Sequence, residues 1–174
     1  MVEAFVGTDL WTVMRKVYAM PGVAQACLEL QERFELDVPL FLAVLQAAGK
    51  GSHIDSDAIR NLDENCRRWR AEVVRPMRAI RVQLKANPWM ESHPPVVSFR
   101  SELKALELDA EKLEVAVLEE AIADLPRDEG QEEGRARINL VAHMVLERFA
   151  GRTLPEEVPQ ARLIADVVWS LARG

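Results

Sequence analysis

A chain of 174 residues, 49% of them hydrophobic and 29% charged, carries enough apolar material for a buried core, since a compact fold of this length removes roughly 70% of its unfolded surface from water. Its net charge of −6 excludes a protein that coats nucleic acid non-specifically, because such binding needs an excess of Lys and Arg against phosphates. The longest nearly uninterrupted apolar stretch, 38–45, is far short of the ~20 residues that cross a bilayer, and the first five residues lack the basic-then-apolar order of a secretory signal, so the chain reads as cytoplasmic.

Thr8 is a plausible cap for a first helix whose apolar residues Leu10, Trp11, Met14, Val17 and Tyr18 recur at spacings of three and four, and Pro21-Gly22 ends it. A second helix follows with Val23, Cys27, Leu30 and Phe34 on one face. Asp37 and Pro39 open a third, apolar nearly all round, which predicts a central position. Gly49-Lys50-Gly51-Ser52 stops it, and Asp55 or Ser56 caps the next.

That next segment, 55–87, carries Ile59, Leu62, Cys66, Trp69, Val73, Met77, Ile80 and Leu84 in unbroken three-four phase across Pro76. A proline inside a helix removes a backbone hydrogen bond at a cost of ~3 kcal/mol, so the segment is expected as one kinked helix or two nearly coaxial ones. Asn87-Pro88 ends it, and Pro94-Pro95 keeps the following loop from being helical. There, Trp89 is expected to fold back over the end of the bundle, the other reading being an exposed anchor for a partner.

A long helix over 99–125 has Leu103, Leu106, Ala110, Leu113 and Val117 as its inner stripe. The stretch 126–134 reads as an acidic surface loop, and 135–174 as a C-terminal helical pair carrying Ile138, Val141, Val145 and Phe149, then Ile164, Val167, Val168 and Leu171. No segment alternates as a strand does. The expected fold is all-α, a bundle of six to seven helices forming one domain over 1–174, with Trp11, Cys27, Leu62, Trp69, Ile80 and Leu106 in the core.

At 100° per residue, Arg67, Arg70, Arg78, Arg81 and Lys85 fall within roughly an 80° arc beside the apolar stripe. This basic ridge is the candidate site. It suits an anionic partner, because guanidinium groups bind oxyanions bidentately. The stronger reading is internal, with arginine stems laid over the core edge and paired to acids such as Glu107, Glu111 and Glu114.

Other constellations are weaker. Cys27 and Cys66 read as buried, reduced thiols. His53, Asp55 and Asp57 lack the spacing of a calcium loop, and helix capping explains the aspartates. His143 and Glu147, one turn apart, read as a solvent-facing pair. No Glu stands three residues before any His, which removes the di-iron bundle, and nucleotide-binding, P-loop, serine-hydrolase and zinc-protease motifs are absent. No cofactor or metal is expected.

Leu10-Trp11, Val17-Tyr18, Pro21-Gly22-Val23-Ala24, Ala26-Cys27-Leu28, Leu30-Gln31 and Leu36-Asp37-Val38 resemble the signature of a family of small bacterial proteins of unknown function. Trp69, Val73-Val74, Pro76, Arg78-Ala79, Arg81 and Leu84-Lys85 resemble its second signature, and the stretch 104–114 a third. Pro39 departs from the polar residue expected there, and 135–174 has no counterpart, which implies a C-terminal extension on a family-like core of 1–125. The resemblance implies a bacterial helical domain and brings no activity. The functional expectation is an interaction module presenting the ridge to an anionic partner, the alternative being a metabolite-binding protein or enzyme with a pocket lined by the same arginines.

Overall fold

The computed structural model describes residues 9–91, 93, 95–128, 134–155 and 157–172, with the backbone alone at 90 and 91. The expected cap at Thr8 and most of the acidic loop lie outside the described residues. Helices α1 (Asp9–Tyr18), α2 (Val23–Phe34) and α3 (Val38–Gly49) are followed by α4 (Ser56–Trp69), a π-helical stretch (Arg70–Val74) and α5 (Arg75–Lys85). After the single turn α6 (Pro88–Glu91) come α7 (Pro95–Ala123), α8 (Gly134–Ala150) and α9 (Pro159–Ala172). With 56–85 counted as one rod, seven helices stand beside that one turn among the described residues, which contain no strand beyond the isolated bridge of Ser52 to Arg127.

The all-apolar α3 is the axle. Every residue from Pro39 to Ala48 is buried, and α1, α7, α8 and α9 pack around it. A helix apolar on all sides needs neighbours on all sides, and α8 and α9 close it off. Ile138, Val145, Leu146 and Ile164 are fully covered, within one cluster running from Leu10 to Val168. None of the helices is long and apolar enough to cross a membrane, among the described residues.

Local chemistry accounts for the joints. Gly22 takes a left-handed φ of 80° in the turn from α1 to α2, a conformation that costs glycine little. Asp55 caps α4 by accepting the Ala58 N–H at 2.7 Å, as expected. The first N–H of α1 that needs a distant partner is Leu10, which donates to Glu119 of α7 at 3.1 Å. The loop after α3 is pinned to the end of α7, since the His53 N–H donates to the Pro126 carbonyl and the Asp128 N–H to that of Gly51.

The segment 55–87 is helical on both sides of Pro76, but its phase changes. Proline has no N–H to donate, and its ring presses on the carbonyl four residues back. The wider π turn accommodates both, with Arg75 donating instead to the carbonyl of Arg70, five residues back. A π turn holds one residue more than an α turn. Every later side chain therefore stands where its predecessor would have stood, a rotation of about 100°.

This rotation corrects the expected core. Ile59, Leu62 and Cys66 are buried before the π turn, and Arg70 and Val74 are buried within it. Ile80, past the turn, is 47% exposed; Trp69 lies before the turn, so its 37% exposure is not owed to the rotation. The inner face of α7 is also one residue off, formed by Glu107, Ala110, Glu114, Val115 and Leu118, with Leu106 56% exposed. Of the remaining core expectations, Cys27 and Leu62 are buried, and Trp11 is half-buried against the core. Trp89 covers nothing: it is exposed and stacks on His93 with ring centroids 4.1 Å apart. Helix α7 starts at Pro95, four residues earlier than expected, because proline at a first helical position forfeits no hydrogen bond.

Candidate functional site on the α5 and α7 arm

The basic ridge points into the protein along most of its length. Arg70, at the start of the π turn, and Arg78 and Arg81, rotated by it, face α7, whose inward glutamates recur at 107, 111 and 114. Arg78 donates through Nε to Glu107 at 2.9 Å and through Nη2 to Glu111 at 2.6 Å. Arg81 grips both oxygens of Glu107. Arg67 and Lys85, at the two ends, are exposed.

At the inner end, Arg70 is the centre of a buried ionic node. Its guanidinium meets Asp63 at 2.7 Å, Asp37 at 2.5 Å and Glu114 at 3.4 Å, and lies 5.6 Å from the centre of the Phe149 ring. Asp63 is shared with Arg148, 2.7 Å away. Desolvation works to discharge Arg70, but the three carboxylates outweigh it and raise its pKa. Burial is likewise the main reason that the Glu114 carboxyl is pushed up to about 9, with Asp37 beside it adding to the effect. The raised pKa favours the protonated form of Glu114 in the folded chain. With Glu114 in that form, Arg70 and Arg148 face the carboxylates of Asp37 and Asp63, and the node holds no unpaired charge in the core.

Glu107 is held the other way. Burial opposes its charge, but hydrogen bonds from Arg81 and Arg78 prevail and lower its pKa. The Glu111 carboxyl is raised by burial despite Arg78. The ridge and the glutamates thus form a ladder of paired charges between two antiparallel helices.

What the ladder leaves outside is apolar. On α5 and the helix before it, Trp69, Val73, Met77, Ile80 and Leu84 step by four, four, three and four residues along one flank. On α7, Phe99, Leu103, Leu106, Ala110, Leu113 and Val117 alternate four and three. Both stripes lie about a quarter turn from the line of arginines and glutamates. In antiparallel helices these two quarter turns bring the stripes to the same side. The Trp69 indole joins them, donating through Nε1 to the Ala110 carbonyl at 3.0 Å. The Arg81 to Glu107 pair sets the adjacent Ile80 and Leu106 level with each other at the middle of this face.

Among the described residues, no third helix covers the outer part of the arm. No residue of α5 is buried, and none of α7 before Glu107. Trp69, Ile80, Phe99, Leu106 and Val117 are between 37% and 56% exposed.

The remaining candidates are buried or paired locally. Cys27 and Cys66 are free and buried, and burial pushes each thiol up to about 12, far from the thiolate that reacts. His53 pairs with Asp128 at 2.5 Å while Asp57 pairs with Arg60 at 2.8 Å. His143 and Glu147 are half-buried and 3.2 Å apart, and Glu147 also accepts the Leu154 N–H at 3.0 Å. A hollow of about 260 Å³ between α2 and α9 is lined by Gly22, Glu29, Gln160 and Leu163, away from the arginines.

Asp37, Asp63 and Arg148 were not legible as partners of Arg70. The available signal is an acid at an inward helical phase, as Asp63 is between Leu62 and Cys66. No curated protein and no solved structure matches the chain. Residues 9–118, well over half of the chain, match the sequence model of a family described as a protein of unknown function (DUF2390), and the protein belongs to that family.

Proposed function

We propose that this is a cytoplasmic interaction module of bacterial origin, working through the open apolar face of the α5 and α7 arm. One observation carries the reading: two in-phase apolar stripes lie side by side with no helix among the described residues over their outer half. Monomeric proteins rarely expose contiguous apolar patches beyond a few hundred Å², and larger ones mark interaction sites.

The arginines then act as the fastener that holds the arm straight and turns its apolar side outward. An anionic partner docking on the ridge would find Arg67 and Lys85 exposed, but Arg78 and Arg81 already paired with Glu107 and Glu111. A protein partner fits the face better.

The test is native mass spectrometry on gently lysed cells carrying the tagged chain, wild type beside Ile80→Glu/Leu106→Glu. Complexes of any composition are expected in the wild type and lost in the double variant, with helical content unchanged by circular dichroism. Complexes that persist in a folded double variant overturn the reading.

A further inference from the structure

We infer that the occupant of this face is the same face of a second copy of the chain, two arms closing on each other as a four-helix bundle. The inference rests on the arm being the interaction surface and names what it binds. Alternating steps of three and four are the pattern that packs helix against helix with knobs in holes, and each such seam asks for another helix of similar pattern. Both seams of the arm are open along their outer half, so the occupant must offer two helices, side by side, with apolar residues level across the pair. The arm itself meets that description, since Ile80 and Leu106 stand level at its centre.

The area agrees. Taking the roughly 150–250 Å² of a buried aromatic residue as an upper guide, the exposures of Trp69, Ile80, Phe99, Leu106 and Val117 leave on the order of 400–600 Å² of apolar surface on this face. A polar rim brings that close to the ~800 Å² per partner of a standard interface. A two-fold contact uses one surface twice, which is the commonest way in which soluble chains associate. The rigid charge ladder beneath lets the face bind with little reorganisation.

Val82 supplies an internal control. It is 55% exposed but stands about 200° round α5 from Ile80, on the far side of the arm. Sedimentation equilibrium of the purified full chain, from about 1 to about 100 µM to span micromolar dissociation constants, should give twice the mass of one chain. Ile80→Glu/Leu106→Glu should sediment as a monomer with unchanged circular dichroism, and Val82→Glu as a dimer like the wild type. A wild type that stays monomeric throughout this range, a double variant that still dimerises, or a Val82→Glu that dissociates overturns the pairing. Should the double variant fail to fold, Ile80→Ala/Leu106→Ala keeps the test, with at least a tenfold weaker dimer expected and undiminished affinity overturning it. A monomeric wild type whose complexes with another protein depend on Ile80 and Leu106 would overturn the pairing and leave the wider reading of the arm standing.

Discussion

At the scale of single residues, Glu114 has the most direct consequence. Burial, with Asp37 beside it, pushes its carboxyl up from 4.5 for the free group to about 9 in the folded protein. Between those values the folded chain holds a proton that the unfolded chain has lost, so stability is fully present below pH 4.5 and declines as pH rises towards 9. Thermal unfolding of the wild type should therefore shift to lower temperature between about pH 6 and about pH 8.5. In Glu114→Gln, whose amide cannot ionise, this part of the slope should vanish. An equal slope in the two proteins would show that Glu114 is charged at neutral pH. Glu107 works in the opposite sense, since its lowered pKa makes its contribution present above pH 4.5 and lost on acidification.

At the scale of elements, the π turn at Arg70–Val74 decides which side of α5 meets α7. One additional residue exchanges an apolar contact for an ionic one, moving Arg78 and Arg81 in and Ile80 out. The ladder then binds the arm. Removing both arginines leaves Glu107, whose side chain is only 7% exposed, with no cation beside it. Arg78→Ala/Arg81→Ala should lose about 2 kcal/mol in urea unfolding, below the 3–5 of a fully buried pair because both arginines keep some solvent. Adding Glu107→Leu should recover much of the loss, since it removes the stranded charge. A double variant as stable as the wild type would mean that packing alone holds the arm.

For the whole molecule, the match to residues 9–118 and the extent of the core do not coincide. Helices α8 and α9 cover α3 with Ile138, Val145, Leu146 and Ile164, all fully buried. Cut after Asp128, the chain would expose that side of an axle that is apolar all round. The truncated chain should be aggregated or molten, binding hydrophobic dye and lacking dispersed amide signals in a proton–nitrogen spectrum. A well-dispersed spectrum would show that 9–118 is a fold in its own right and that α8 and α9 are an appendage.

The sequence by itself determined what repeats locally: the helices, the turns at Pro21-Gly22 and Gly49-Lys50-Gly51, the Asp55 cap and the central place of α3. These follow from apolar period and backbone chemistry, which act over one or two turns. It also showed two apolar stripes on 55–87 and on α7, and named Glu107, Glu111 and Glu114 as possible partners of the ridge. Only the tertiary structure decided which way those stripes face. A π turn leaves no mark on the residue types, and a search for apolar periodicity takes an inward glutamate for a solvent-facing one. Glutamates can face inward on α7 because arginines from another helix arrive opposite them, and that pairing over some thirty residues of chain exists only once the two helices have packed.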